Sequence, residues 1–117
     1  MTLEYPSLLN ASGTVPDISA MVEEDRVHRQ IYTDPAIFDL EMTRIFGATW
    51  VYVGHESQIP EPHDFITGKL GQRPVILSRD GQGDIHLLFN RCTHRGATVC
   101  RKASGNAKLF QCAYHGW

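Results

Sequence analysis

From Asp17 to Gly47 the apolar positions recur at helical steps, and from Trp50 onward they alternate with polar ones. In "PDISAMVEEDRVHRQ", Asp17 is a candidate N-cap, and Ile18, Met21, Val22 and Asp25 fall near one face, which predicts a first helix. "TDPAIFDLEMTRIFG" predicts a second. Asp34 can accept from the first free N–H groups, and Pro35 fits the first helical position, where no N–H is needed. Phe38, Met42, Ile45 and Phe46 recur at three- and four-residue steps, and Gly47 predicts the stop. Such a stripe predicts packing on its own domain or a partner domain rather than contact with a cofactor. Residues 1–16, with Pro6, Gly13 and Pro16, predict an irregular arm.

The second half reads as strands. "WVYVGH", "DFITGKL", "RPVILSR", "DIHLLFN" and "KLFQC" are short and β-prone. The Asp-Gly pair of "DGQG" predicts a hairpin turn between the third and fourth of them. In "DIHLLFN", Ile85, Leu87 and Phe89 share one face, and His86, Leu88 and Asn90 the other. Helices followed by strands predict an α+β chain, with a helical arm over residues 1–47 and a small antiparallel β domain over residues 48–117.

A length of 117 residues is a prior of one domain with a modest core. The formal charge of −2 mixes both signs, so no basic stripe points to nucleic acid. No apolar run approaches the ~20 residues of a membrane span. The opening "MTLEYPSLLN" lacks the basic and apolar regions of a signal peptide, so the expected location is cytoplasmic. In a reducing compartment, an odd count of three cysteines argues against a disulfide framework and for metal-binding or catalytic thiols.

All three cysteines lie in "RCTHRGATVCRKASGNAKLFQCAYHGW". Cys92-x-His94 forms one pair and Cys112-x-x-His115 another, each after a predicted strand. Two such loops side by side would gather four ligands. A zinc site of two cysteines and two histidines is one reading. Zinc-finger patterns usually pair like with like, however, whereas each loop here mixes one thiol with one imidazole. Mixed pairing suits a binuclear cluster in which one iron takes both thiolates and the other both imidazoles, the Rieske arrangement. Neutral imidazoles in place of anionic thiolates make such a cluster easier to reduce. Gly96 and Gly116 each stand beside a candidate histidine, where backbone must pass close to the cluster.

"CTHRGATVC" and "CAYHGW" resemble the two cluster motifs of the large (alpha) subunit of Rieske non-haem iron aromatic ring-hydroxylating dioxygenases. The resemblance extends over "TDPAIFDLEMTRIFGATWVYVGHESQIP" and "GNAKLFQC", from about Asp25 to Trp117, and its upstream part is similar to members acting on benzoate, cumate and related aromatics. It implies that Cys92 and Cys112 bind one iron of a [2Fe-2S] cluster and His94 and His115 the other, with no catalytic residue in this stretch. Ala113 stands where the family most often has proline. In the family the cluster accepts an electron from a ferredoxin or a flavin reductase. It hands that electron to a mononuclear Fe(II) held by two histidines and a carboxylate, where an aromatic ring becomes a cis-dihydrodiol. The resemblance implies that this iron belongs to a further C-terminal domain absent here. It also implies strands after the second motif, so the Rieske domain is expected to be incomplete at its C-terminus. Other alpha subunits, often with beta subunits, are the expected assembly partners.

Two alternatives stay open: a free-standing Rieske-type ferredoxin and a zinc-binding interaction module. Ferredoxins of that kind start almost at once with the sheet, whereas here ~45 residues of arm and helices come first, enough for ~3 turns per helix. Cys100 is expected to be a small buried residue, because the sequence offers no second extra cysteine for a disulfide beside the cluster. His28, His55, His63 and His86 lack ligand-like spacing and predict surface or turn positions, with His86 a candidate contact for another domain. Arg95, beside His94, is a surface charge or a partner contact.

Overall fold

The structure is a computed structural model, described here over residues 16–117; the predicted arm of residues 1–16 lies almost wholly outside the described residues. Contacts divide the chain into two units, one ending at Trp50 and the other Val51–Trp117.

In the first unit the predicted helix from Asp17 does not form. Only a 3-10 turn forms, Ser19–Met21, with Ile18 rather than Asp17 at its N-cap, although the Asp17 carboxylate accepts from the Ala20 N–H at 3.3 Å. Val22 then faces Val27 in an antiparallel bridge. The Glu23 N–H donates to the Arg26 carbonyl at 2.8 Å, and the Glu23 carboxylate meets the Arg26 guanidinium at 2.7 Å. The branched Val22 and Val27 favour extended backbone, and the Glu23–Arg26 pair closes the turn between them.

Helix α1 (Gln30–Thr33) is a single turn, and α2 (Pro35–Arg44) follows it directly. Asp34 separates them as predicted: its carboxylate accepts from the Ala36 N–H at 2.8 Å and from Gln30 Nε2 at 2.7 Å. The Gln30 bond, then the Ala36 bond, hold this carboxyl below its ordinary range. The predicted stripe is not the buried face. Ala36, Ile37 and Leu40 are buried, while Phe38, Ile45 and Phe46 are exposed. Apolar residues surround the helix, so periodicity left two overlapping stripes, and the one with the small Ala36 is the one that packs. The helix also ends at Arg44 rather than at Gly47. Gly47 lies in the turns beyond, where a Cβ would come within 2.9 Å of the Thr43 carbonyl oxygen.

The second unit is a four-stranded antiparallel sheet of order β3-β2-β1-β4. Strands β1 (Asp64–Leu70), β2 (Arg73–Arg79) and β3 (Ile85–Phe89) match their predicted segments. β2 is central and carries Val75, Ile76 and Leu77, all buried, beside Phe65 of β1 and the fully buried Ile59. β3 is an edge, so all five of its residues are exposed, on both predicted faces. The β2–β3 loop forms at "DGQG", but its left-handed residue is Gly83 (φ 98°), not Gly81. The Asp80 side chain organises it, accepting from the Gln82 and Asp84 N–H groups, both at 2.9 Å.

Two predicted strands are absent from the ladders. "WVYVGH" pairs with nothing among the described residues, although Val51 and Val53 are half-buried and Tyr52 between them is exposed. "KLFQC" is replaced by β4 (Ser104–Asn106), a segment of low β-propensity. Non-local bonds select it. Asn106 Nδ2 donates to the Pro62 carbonyl at 2.9 Å and to Asp64 Oδ1 at 3.0 Å, and the Thr67 N–H reaches the Ala103 carbonyl at 2.8 Å. Gly105 lies opposite Phe65, where a Cβ would stand 3.1 Å from the ring.

Candidate metal centre

Two loops extend from this sheet, residues 92–97 after β3 and 112–117 after β4, and their backbones close in the same way. The Cys92 N–H donates to the Ala97 carbonyl, and the Gly96 N–H returns to the Cys92 carbonyl, both at 2.8 Å. The Cys112 N–H donates to the Trp117 carbonyl, and the Gly116 N–H returns to the Cys112 carbonyl at 2.8 Å. Each ring needs a left-handed residue four places after the cysteine, and glycine supplies it: Gly96 at φ 73° and Gly116 at φ 78°.

The four candidate ligands gather as two pairs. Cys92 and Cys112 are 9% and 2% exposed, and the two thiols are close enough to influence one another. The Tyr114 N–H, directed at the Cys112 sulfur, does most to pull that thiol below its ordinary pKa; the Cys92 contact and the His115 N–H add to it, and burial opposes it. His94 and His115 stand at the exposed rim with ring centroids 4.8 Å apart. Among the described residues, no three His, Cys, Asp or Glu side chains converge on the position of a single metal ion. Two soft, buried sulfurs, with N–H donors at Cys112, and two imidazoles at the rim fit a binuclear iron centre.

Other residues complete the site. Asn90, which the strand pattern placed only on a face of β3, is 4% exposed and bonds the backbone of residues 99 and 100. Arg91 lies against Gly96, where a Cβ would come within 2.8 Å of its Nη2. Trp117 stacks on His94 with centroids 4.6 Å apart, and the Arg95 guanidinium sits 5.6 Å from the centroid of the Tyr114 ring. The sequence signals for these contacts are an asparagine closing an apolar strand and aromatics within the second motif. Cys100 is half-buried rather than buried, its sulfur 3.8 Å from the Lys102 carbonyl oxygen. The remaining histidines serve turns. His28 accepts from the Gln30 N–H, His55 caps the turn Glu56–Gln58, His63 adopts φ 71°, and His86 Nε2 bonds Asp80 Oδ2 at 2.8 Å.

A small antiparallel sheet whose matched loops offer two thiolates and two imidazoles defines an iron–sulfur electron-transfer domain. The chain belongs to the Rieske [2Fe-2S] domain family, which matches residues 49–117. It is 45% identical to the toluate 1,2-dioxygenase subunit alpha of Pseudomonas putida over 86% of this chain and 23% of that protein. It is 48% identical to the anthranilate 1,2-dioxygenase large subunit of Acinetobacter baylyi over 79% of this chain and 20% of that protein. Among solved structures, naphthalene 1,2-dioxygenase from a Rhodococcus species superposes with a TM-score of 0.73 at 44% identity, covering 78% of this chain and 21% of that one. The chain thus spans between a fifth and a quarter of the length of the curated relatives it matches. No helix among the described residues is long and apolar enough to cross a membrane.

Proposed function

We propose that this chain is the electron-entry part of an aromatic ring-hydroxylating dioxygenase alpha subunit. In this reading Cys92 and Cys112 hold one iron of a [2Fe-2S] cluster, and His94 and His115 hold the other. The observation that carries it is the sorting of the four side chains by the two matched loops: sulfurs paired inside, imidazoles paired at the rim. When bound, a cluster of this kind supplies one-electron chemistry at a potential raised by its neutral ligands. The protein's own part is to orient and shield. Tyr114 and His115 direct N–H groups at Cys112 and favour its thiolate, the form that binds metal. Burial of Cys92 and Cys112 excludes water from the sulfur side, while His94 and His115 leave the rim open to a redox partner.

The partner on the donor side is a ferredoxin or a flavin reductase. The acceptor is a mononuclear iron of another domain, where the aromatic substrate is oxidised. Other alpha subunits, often with beta subunits, form the assembly, and the location is cytoplasmic. The similarity to toluate, biphenyl, anthranilate and benzene dioxygenase subunits supports an aromatic compound as the substrate class.

The test is elemental. Purified protein should carry about two irons and two acid-labile sulfides per chain, with the lowered average g value of imidazole ligation in electron paramagnetic resonance on reduction. Cys112→Ser should abolish both. Colourless protein containing zinc and no labile sulfide would refute the reading.

A further inference from the structure

The backbone bonds of the two loops close each loop on itself. Among the described residues, none of the backbone bonds of residues 92–97 reaches residues 112–117. The spacing between the loops is therefore set by side chains. At the sulfur end this is the Cys92–Cys112 contact. At the rim the His94 and His115 rings meet at 4.8 Å, and two contacts that involve non-ligand side chains join the loops beside them. Trp117 lies nearly flat on His94, with 12° between the planes and 4.6 Å between centroids. Arg95 lies over Tyr114 at 5.6 Å. All four side chains are exposed, so general burial does not hold them there.

We propose that the Trp117–His94 stack and the Arg95–Tyr114 pair form a clasp that fixes the spacing of the two loops and the orientation of the His94 ring, and so governs how firmly the loops retain a cluster. Trp117, Arg95 and Tyr114 are positioning residues in this scheme. The proposal rests on the ligand reading given above.

The physical reason lies in where the site is open. Cys92 and Cys112 are buried, so a chelator reaches iron from the imidazole side. For iron to leave, His94 must swing away, and the stacked indole opposes that rotation. An aromatic stack of this kind corresponds to about a two- to tenfold change in an opening equilibrium. An exposed cation–π pair corresponds to about two- to fivefold.

The experiment follows the loss of visible absorbance when the cluster-loaded protein meets excess chelator. Trp117→Ala is set against Trp117→Phe, which keeps a ring, and Arg95→Gln against Arg95→Lys, which keeps the cation. Trp117→Ala and Arg95→Gln should bleach faster by the factors above, while the Phe and Lys variants stay near the parent rate. Iron and sulfide contents at the start should be equal in all. Equal bleaching rates in fully loaded Trp117→Ala and Arg95→Gln overturn the clasp and leave the ligand reading standing, as does equal acceleration by the conservative and disruptive changes. Parent protein without labile sulfide overturns both. Should Trp117→Ala fail to load, the ratio of Arg95→Gln to Arg95→Lys decides by the same criterion.

Discussion

Replacing Asn90 by alanine should destabilise the sheet unit by about 2–3 kcal/mol, and the structure shows why. Its Nδ2 donates to the Cys100 carbonyl at 2.7 Å, and its Oδ1 accepts from the Cys100 N–H at 2.8 Å and the Val99 N–H at 3.2 Å. The side chain thus imitates a strand partner for a segment that has no ladder of its own. Two well-formed bonds contribute about 1 kcal/mol each, and the long third one less. Val99 and Cys100 are only half-buried, so water partly replaces what is lost and little is added for unsatisfied groups. In a unit of this size that corresponds to a fall in Tm of roughly 10–20 °C. Asn90→Asp discriminates further. It has the same shape but puts an oxygen where Nδ2 faced the Cys100 carbonyl, and it places a charge at a position only 4% exposed. It should be at least as damaging as alanine at neutral pH and should recover in part on acidification. Urea unfolding gives the stabilities, and hydrogen exchange at the Val99 and Cys100 amides reports the local bonds. An alanine variant within 0.5 kcal/mol of the parent, or unchanged exchange at those two amides, would refute the argument.

Three further outcomes are expected. Gly116→Ala should destabilise the second loop by about 1–2 kcal/mol, because alanine is strained at φ 78°; thermal melts of this variant beside Gly83→Ala, at φ 98° with nothing within 4 Å of the added Cβ, separate strain from crowding. His94→Cys should lower the reduction potential of the loaded protein, on the order of 100 mV or more toward the all-thiolate range, and a potential equal to the parent's would show that the neutral imidazole is not what raises it. Asp80 is held below its ordinary carboxyl pKa of 3.8, first by the His86 bond and then by the Asp84 and Gln82 N–H groups, against burial. Its stabilising contribution is complete above that ordinary value and is lost as pH falls through the lowered native one, so the urea midpoint of Asp80→Asn should vary less than the parent's between about pH 5 and pH 2.

The features readable from sequence are those in which one residue type answers one local demand. Asp34 and Pro35 begin a helix because free N–H groups need an acceptor and the first position needs no donor, and both do so here. The features that were not readable are decided at long range. β4 is "SGN" rather than "KLFQC" because Asn106, Thr67 and the Phe65 ring choose the pairing, and no property of residues 104–106 alone announces it. The buried face of α2 was ambiguous for the same reason: apolar residues on every side leave the choice to whatever packs against it. The metal centre stands between these cases. Spacing alone gives Cys-x-His in one loop and Cys-x-x-His in the other, which look like different motifs. Measured instead from cysteine to glycine, Cys92 to Gly96 and Cys112 to Gly116 are the same interval, and the structure closes both into the same hydrogen-bonded ring. The glycines define the ring, and the histidines occupy different places on it. Because the rings match, the sulfurs meet inside; because the histidine offsets differ, the imidazoles need a separate device to bring them together at the rim. That device is a side-chain contact between loops, a relationship that spacing within either motif cannot encode.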